Sequence, residues 1–248
     1  MKLEDLKYLK LSDLTDEMIK QYRQAVQEAF PPIIHQSPII KNYWSKVEAY
    51  FSPFQLFLFT NDNRLLGFAN TIAIHWTDTY EKLPTEGWDW MVKKGIEDHE
   101  KGLKPNCLGG LQIIITKEHL GKGYSKLILN GVKKMRENAG LEKLIIPIRP
   151  TWKWKLPEMS MSTYAQYKTD DKIYDPWIRT HLKAGAEIVK ICESSMKISG
   201  DVPFWENLLN DKIKSSGSYL IPGALSKVNI NVERNYGEYR EANIWIKY

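Results

Sequence analysis

The spacing of hydrophobic and polar positions changes several times along the chain, and each change marks an element. Residues 15–30 bring Met18 and Val26 to one face of a helix, which Thr15 can cap and two prolines end. A weaker helical pattern covers residues 39–51. The first part of the chain is therefore predicted to hold two helices.

The middle of the chain alternates between strand and helix patterns. Two apolar runs around a polar Asn-Asp-Asn turn predict a hairpin over 54–76. The Trp- and Lys-rich connection 77–106 holds part of a helix and is long enough for a lid or a substrate-facing segment. A strand at 108–116, an amphipathic helix at 125–140 and a strand at 142–150 follow.

The last third of the chain has weaker patterns. Residues 174–191 predict a short helix that ends at Gly185 and a strand after it. Residues 195–248 alternate short strands with one helix near 202–210, and the polar run 214–218 is predicted to be a surface loop.

Composition narrows the class of protein. No segment resembles a flexible linker, so residues 1–248 are predicted to form one domain, with 195–248 as a C-terminal elaboration. Cys107 and Cys192 lie far apart, which argues against a disulfide framework and favours a reducing cytoplasm. Residues 1–13 contain no apolar signal segment, and no window is apolar enough for a membrane span.

The charge distribution argues against a nucleic-acid-binding protein, and the spacing of the histidines argues against a metal-binding protein. The net charge of +5 suits an anionic ligand, but the lysines are scattered, so nucleic acid is not expected as a partner. The histidines His35, His75 and His99 stand alone, and no metal site is predicted. The sequence gives no indication of an oligomeric state.

Residues 119–125, His-Leu-Gly-Lys-Gly-Tyr-Ser, join the strand at 108–116 to the next helix. The spacing fits neither a Walker loop nor a dinucleotide fingerprint, which would need a glycine where Lys126 stands. Gly121 and Gly123 permit backbone conformations that other residues avoid, and the N–H groups of the helix start favour an anion. The loop is predicted either to cradle a pyrophosphate or to be a plain strand-to-helix turn.

The order of elements, with this loop and a late helix ending in Ala-Gly-Ala, resembles the GNAT family of acyl-CoA-dependent N-acetyltransferases. Their Gln/Arg-x-x-Gly-x-Gly/Ala signature reads Glu-His-Leu-Gly-Lys-Gly here, with Glu118 in place of Gln or Arg. The segments IRPTWK, YDPWIRTHLKAGAEIV, SMKISG, SGSYLIPGAL and EANIWIKY resemble a bacterial GNAT-like subfamily with the same C-terminal extension.

The resemblance implies an α/β (α+β) fold of GNAT type, with a mixed, mostly antiparallel sheet, splayed central strands and flanking helices. The pantetheine arm of acetyl-CoA would bond to the backbone near Ile113 and Ile115. The pyrophosphate would bind the amides of Leu120, Gly121, Lys122, Gly123, Tyr124 and Ser125. The expected activity is acetyl transfer to a small-molecule amine by direct attack in a ternary complex. The alternative is a non-catalytic acyl-CoA-binding sensor or scaffold.

Acetyl transfer to an amine requires a base, and the strand at 108–116 offers none. Many family members have a carboxylate on this strand, whereas Gln112 is its only sizeable polar side chain here. A water chain, Asp89 or Asp175 is left as the candidate base.

The resemblance also implies a general acid near the coenzyme sulfur. The family commonly has a tyrosine four residues before the glycine that ends the late helix, and His181 occupies this position before Gly185. Its pKa near 6.5 suits proton transfer, although the ring could instead pack against the sheet. Tyr164 and Tyr167 are rival acids, with aromatic packing as their alternative role.

Three residues are candidates for the acceptor side. Arg149 ends a core strand and could hold an acceptor carboxylate, or else form an ion pair with an acid such as Asp175. Trp88 and Asp89 could wall an acceptor pocket, although tryptophans are more often part of a core.

Overall fold

The computed structural model describes residues 6–248. Residues 1–13 were predicted to contain no signal segment, and the first five of them lie outside the described range. The helices in this range are α1 (Asp16–Ala29), α2 (Pro38–Tyr50), α3 (Gly87–Glu100), α4 (Tyr124–Asn138), α5 (Met161–Gln166), α6 (Pro176–Lys183) and α7 (Val202–Leu209). The strands are β1 (Leu6–Lys10), β2 (Gln55–Thr60), β3 (Leu65–Ile74), β4 (Cys107–Ile115), β5 (Lys143–Ile148), β6 (Lys168–Thr169), β7 (Lys172–Ile173), β8 (Glu187–Gly200), β9 (Gly217–Tyr219), β10 (Val228–Asn231) and β11 (Tyr236–Lys247).

Nine strands form one sheet in the order β1-β2-β3-β4-β5-β11-β10-β9, and β8 also pairs with β11. Neighbouring strands are antiparallel except for β4 and β5, which are parallel. The strands β6 and β7 form a separate small ribbon. The predicted class, a mostly antiparallel mixed sheet flanked by helices, is confirmed.

Helix α1 forms where the apolar spacing predicts it. The Thr15 hydroxyl caps it by accepting a hydrogen bond from the Met18 amide at 3.4 Å. Its buried face presents Tyr22, whose ring stands edge-on to Phe57 and Phe68 at centroid distances of 5.1 and 4.8 Å. The helix thereby covers the outer part of β2 and β3.

Helices cover both faces of the central strands. A methyl group at Gly67 would lie 2.9 Å from Ile128 of α4, whereas one at Gly95 of α3 would lie 2.3 Å from Ile72. Gly67 and Ile72 are separated by an odd number of positions on β3, so their Cβ directions point to opposite faces of the sheet. Helix α4 therefore packs on one face and α3 on the other.

The C-terminal part differs from its prediction in one respect. Strand β11 is twelve residues long and lies inside the sheet between β5 and β10, where only short strands were predicted. Its pairing with β8 shifts register between Glu241 and Asn243 and again between Trp245 and Ile246. Such irregularities break the two-residue alternation by which a long strand is recognised in a sequence.

No helix within residues 6–248 is long and apolar enough to cross a membrane.

Candidate active site

The two central strands separate part of the way along their length. Strands β4 and β5 pair from Cys107 with Lys143 to Gly109 with Ile145. Beyond Gly109, β4 continues only along β3, while β5 pairs with β11. A wedge-shaped cleft therefore opens between the later residues of β4 and β5, as the resemblance implied.

A β-bulge lies on β4 where the cleft begins. Asn70 pairs with Gln112 but the next residue of β3 pairs with Gly110, which leaves Leu111 as the extra residue. The Leu111 carbonyl accepts a hydrogen bond from the Trp88 indole N–H at 2.9 Å. The first turn of α3 is thereby fastened to β4 at the base of the cleft.

The glycine loop lies at the end of β4, on the way to α4. Gly121 and Gly123 have φ angles of 75° and 84°, in the left-handed region that favours glycine. Gly123 is the N-cap residue of α4, and no side chain caps this helix. No side chain therefore blocks the first turn, but the amides of Leu120, Lys122 and Lys126 donate to backbone carbonyls of the loop at 3.5, 3.4 and 3.1 Å. Helix starts of this kind bind phosphate groups elsewhere.

Positive charge surrounds this helix start. Lys117, Lys122 and Lys126 are exposed around the loop. Partial burial and then the charge of Lys122 lower the pKa of His119, whose imidazole lies within 2.7 Å of the Thr116 hydroxyl. The loop therefore combines a helix start that no side chain caps with a local positive field, which favours an anion.

The residues predicted to hold the pantetheine arm lie on the free stretch of β4. Ile113 and Ile115 pair on one side with Ala69 and Gly67 of β3, and both are half-buried. The parallel pairing with β5 has ended before them. Their contact with the arm stays a prediction.

The Asp89 carboxylate is buried on the same first turn of α3 as Trp88. One oxygen, Oδ2, accepts a hydrogen bond from the Lys197 amide of β8 at 3.0 Å. The other, Oδ1, is buried and has no hydrogen-bond partner among residues 6–248. Burial raises the pKa of this carboxyl to about 7, and the nearby charge of Glu241 acts in the same direction.

Arg149 follows β5 at the wide end of the cleft. Its Nε donates to both carboxylate oxygens of Glu241 at 3.0 Å, and its Nη2 donates to the Gly223 carbonyl at 2.8 Å. The Arg149 side chain is 22% exposed while that of Glu241 is fully buried. The ion-pair partner is thus Glu241 rather than Asp175, the partner considered from the sequence.

Asp175 is occupied by structural contacts. Its carboxylate caps α6 by accepting from the amides of Trp177 and Ile178 at 2.9 and 3.0 Å. It also accepts from the Trp152 amide and the Tyr164 hydroxyl, each at 2.8 Å. Four donors fill both oxygens, so Asp175 is not available to take a proton from a substrate.

The predicted acid Tyr164 takes part in this structural cluster. It is fully buried, and desolvation followed by the charge of Asp175 raises the pKa of its hydroxyl. The rival Tyr167 is 36% exposed and packs its ring 5.4 Å from that of Tyr174. These contacts give both tyrosines packing partners, which is the alternative role considered from the sequence.

His181 lies on the inner side of α6 with 1% of its surface exposed. Its Nδ1 is 2.5 Å from the Tyr248 hydroxyl, and its Nε2 is buried without a partner in the described chain. Burial and then the charge of Lys133 lower the pKa of the imidazole to about 3. The ring is therefore neutral at physiological pH, and it can accept from Tyr248 only when its proton is on Nε2.

A chain of three side-chain amides crosses the sheet to Gln112. Gln55 Nε2 donates to the backbone carbonyls of Phe51 and Thr71 at 2.7 and 2.9 Å. Gln55 must therefore accept through its oxygen from Asn70 at 2.8 Å, and Asn70 in turn accepts from Gln112 at 2.5 Å. Because Gln112 donates through its Nε2, its side-chain carbonyl oxygen, at the end of this row of amides, can accept a hydrogen bond from a ligand. Single polar residues on neighbouring strands give no sequence signal for such a chain.

Comparisons with known proteins agree with this geometry. No protein-family model matches the chain. A curated relative, the arginine N-acetyltransferase avaD of Aspergillus versicolor, is 26% identical over 245 residues, covering 88% of this chain and 84% of that protein.

Two solved structures share the fold. The loading GNATL domain of CurA from Lyngbya majuscula superposes with a TM-score of 0.57 at 13% identity, over 98% of this chain and 96% of that chain. The GphF GNAT-like decarboxylase in complex with isobutyryl-CoA superposes with a TM-score of 0.52 at 12% identity, over 98% of this chain and 97% of that chain.

The chain is thus similar in sequence to an N-acetyltransferase and shares its fold with GNAT-like structures, in agreement with the resemblance noted from the sequence. The prediction of an acyltransferase enzyme that carries out acetyl-CoA-dependent N-acetylation is confirmed at the level of class. The alternative, a non-catalytic acyl-CoA-binding module, is not favoured. The roles of individual residues stay predictions.

Proposed function

We propose that the protein transfers an acetyl group from acetyl-CoA to the α-amine of arginine or of a closely related cationic amino acid. The observation that carries the proposal is the open glycine loop at the start of α4, beside the cleft between β4 and β5. The acceptor is proposed from the curated relative, which is named an arginine N-acetyltransferase.

The chemistry of arginine decides which nitrogen reacts. The guanidinium keeps its charge throughout the physiological range, so its nitrogens have no free electron pair for attack. The α-amine, by contrast, loses a proton at a far lower pH than the guanidinium and then becomes a nucleophile. The guanidinium would then be a recognition group, and the α-amine the acetyl acceptor.

We assign the co-substrate to the loop and the free stretch of β4. The amides of residues 120–125 would bind the pyrophosphate, and the exposed lysines around them would add charge. The pantetheine arm would lie along Ile113 and Ile115. The thioester would then meet the acceptor near the bulge at Leu111, whose neighbourhood Trp88 closes on one side.

Polar groups on β4, on α6 and at the end of β5 are our candidates for roles in the transfer step. The amine attacks the thioester carbonyl, an N–C bond forms, and the C–S bond breaks as the thiolate leaves. The Gln112 carbonyl oxygen can accept a hydrogen bond from the attacking amine. The Nε2–H of His181 is our candidate donor to the leaving sulfur. Arg149 is the candidate partner of the acceptor carboxylate, because part of its guanidinium is exposed.

The proposal is tested by release of free CoA from acetyl-CoA with a panel of acceptors. L-arginine should be turned over, whereas citrulline, which has no cationic end, should react at least tenfold less efficiently. Agmatine keeps the guanidinium and an amine but lacks the carboxylate, so a raised KM for agmatine would support the role of Arg149. If no amine in the panel releases CoA above the rate without enzyme, the proposed function is wrong.

A further inference from the structure

Four acidic side chains are buried in the described part of the chain, and three of them are fully compensated. Asp175 has its four donors, and Glu241 has Arg149 together with the Tyr239 hydroxyl at 2.8 Å. Asp98 accepts from the His75 amide at 2.7 Å and from Lys94. Asp89 alone among these four leaves one oxygen without a hydrogen bond.

The position of Asp89 is fixed by its neighbours. The preceding Trp88 donates through its backbone amide to the Ser195 hydroxyl at 2.8 Å and through its indole to Leu111. Asp89 itself is held through Oδ2 by the Lys197 amide. The carboxylate is therefore fastened between the bulge of β4 and β8, with 8% of its residue surface exposed and with Oδ1 left free.

We propose that Asp89 is the general base that takes a proton from the ammonium group of the acceptor through Oδ1. This inference rests on the proposed function and assigns the base that β4 does not supply. It also explains a carboxylate that is buried with only one of its two oxygens hydrogen-bonded, which folding alone would not favour.

The proton balance of the step is complete. The acceptor ammonium gives one proton to Asp89 and becomes a neutral amine, which attacks the acetyl carbonyl. When the C–S bond breaks, the second proton of the new amide nitrogen goes with the thiolate to give the CoA thiol. Asp89 then releases its proton to solvent, so the net products are the acetylated amine, CoA and one proton.

The charges that face Asp89 set the pH at which it acts. Burial is the main cause that raises the pKa of its carboxyl to about 7; the Lys197 amide and Lys93 on α3 oppose this rise, and Glu241 on β11 adds to it. The Lys197 ammonium itself pairs with Glu238 at 2.7 Å. A carboxyl with this pKa is a stronger base than an exposed aspartate and is still ionised in half of the molecules near pH 7.

The first test is the pH dependence of kcat with arginine for the wild type and for Asp89→Asn. We expect the kcat of the wild type to rise through pH 7, and that of Asp89→Asn to be about 10²–10⁴-fold lower at pH 7.5. The difference in kcat between the wild type and Asp89→Asn should become smaller at higher pH, where the amine deprotonates in solvent. The affinity for acetyl-CoA should not change. Asp98→Asn, a buried acid on the same helix, is the matched control and should keep the wild-type pH profile.

A second measurement does not depend on turnover. Carbon NMR of protein labelled at the aspartate carboxyl groups, with Asp89→Asn to assign the signal, should show a carboxyl that titrates near pH 7. A titration below pH 5, or a kcat profile unchanged in Asp89→Asn while the wild type acetylates arginine, overturns the role of Asp89 and leaves the proposed function standing. A wild type that turns over no amine but has the Asp89 titration instead contradicts the proposed function.

Discussion

At the scale of single residues, the buried polar side chains divide into those that stabilise the fold and those that do not. Asp175 caps a helix and holds Tyr164. Glu241 neutralises Arg149. Asp89 and His181 each leave one buried atom without a partner in the described chain. Such atoms are destabilising, and they concentrate at sites where function requires them.

Asp89 should lower the stability of the folded protein at high pH. Its pKa is about 7 in the folded state against 3.8 for the free side chain, so the folded state binds more protons between pH 4 and pH 7. The free energy of unfolding contributed by this group therefore falls as pH rises through that window. The free energy of unfolding of Asp89→Asn should accordingly exceed that of the wild type by up to about 4 kcal/mol at pH 8. At pH 4 the two proteins should be similarly stable.

Urea unfolding at both pH values measures this difference. Asp98→Asn is again the control, because it loses compensated contacts and should be destabilised at pH 8. A loss of stability in Asp89→Asn at pH 8 would show that the carboxylate is a structural acceptor, contrary to the account.

His181 should act in the chemical step and not in binding of acetyl-CoA. Because its imidazole is neutral, it can stabilise the leaving thiolate with an Nε2–H hydrogen bond but does not give up a proton to it. His181→Ala should lower kcat by about 10²–10³-fold and leave the affinity for acetyl-CoA unchanged. Tyr248→Phe keeps the aromatic ring and removes the hydrogen bond to Nδ1, so its effect on kcat should be smaller. An unchanged kcat with a lowered melting temperature in His181→Ala would mean that the ring only packs.

The sequence could not predict which residues of the site contact one another. The candidates Trp88, Asp89 and Arg149 could be named because their residue types and flanks are informative. Their partners lie far along the chain: Arg149 meets Glu241 at a separation of 92 residues, and Asp89 meets Lys197 at 108. Periodicity and spacing carry no information about such pairs.

At the scale of elements, the patterns predict best where one face is apolar over several turns. Helices α1, α2 and α4 lie within about two residues of their predicted bounds. The six-residue α5 and the strand β1 were not predicted, because short segments have too few positions to show a period. The glycine loop was recognisable because the left-handed conformation of Gly121 and Gly123 is a local property of the backbone.

At the scale of the whole molecule, the cleft is a consequence of strand order. Strand β5 leaves β4 after three paired positions and continues along β11, which belongs to the last part of the chain. The C-terminal segment therefore lies inside the main sheet, next to the strand that borders the cleft, whereas the sequence suggested an elaboration at 195–248. The fold itself does not select the reaction, since it is shared with a protein described as a GNAT-like decarboxylase.

The most direct test of the account is calorimetric titration of acetyl-CoA into the wild type, Gly123→Val and Gly140→Val. Both glycines have positive φ angles, 84° and 67°, and a Cβ at either would meet no atom within 4 Å. The two substitutions therefore impose a similar backbone strain, at opposite ends of α4, about 25 Å apart.

If the amides at the start of α4 hold the pyrophosphate, the wild type and Gly140→Val should bind acetyl-CoA with the same affinity, and Gly123→Val should bind at least tenfold more weakly. Absence of binding heat in the wild type, or equal affinities for the two valine variants, would contradict the account.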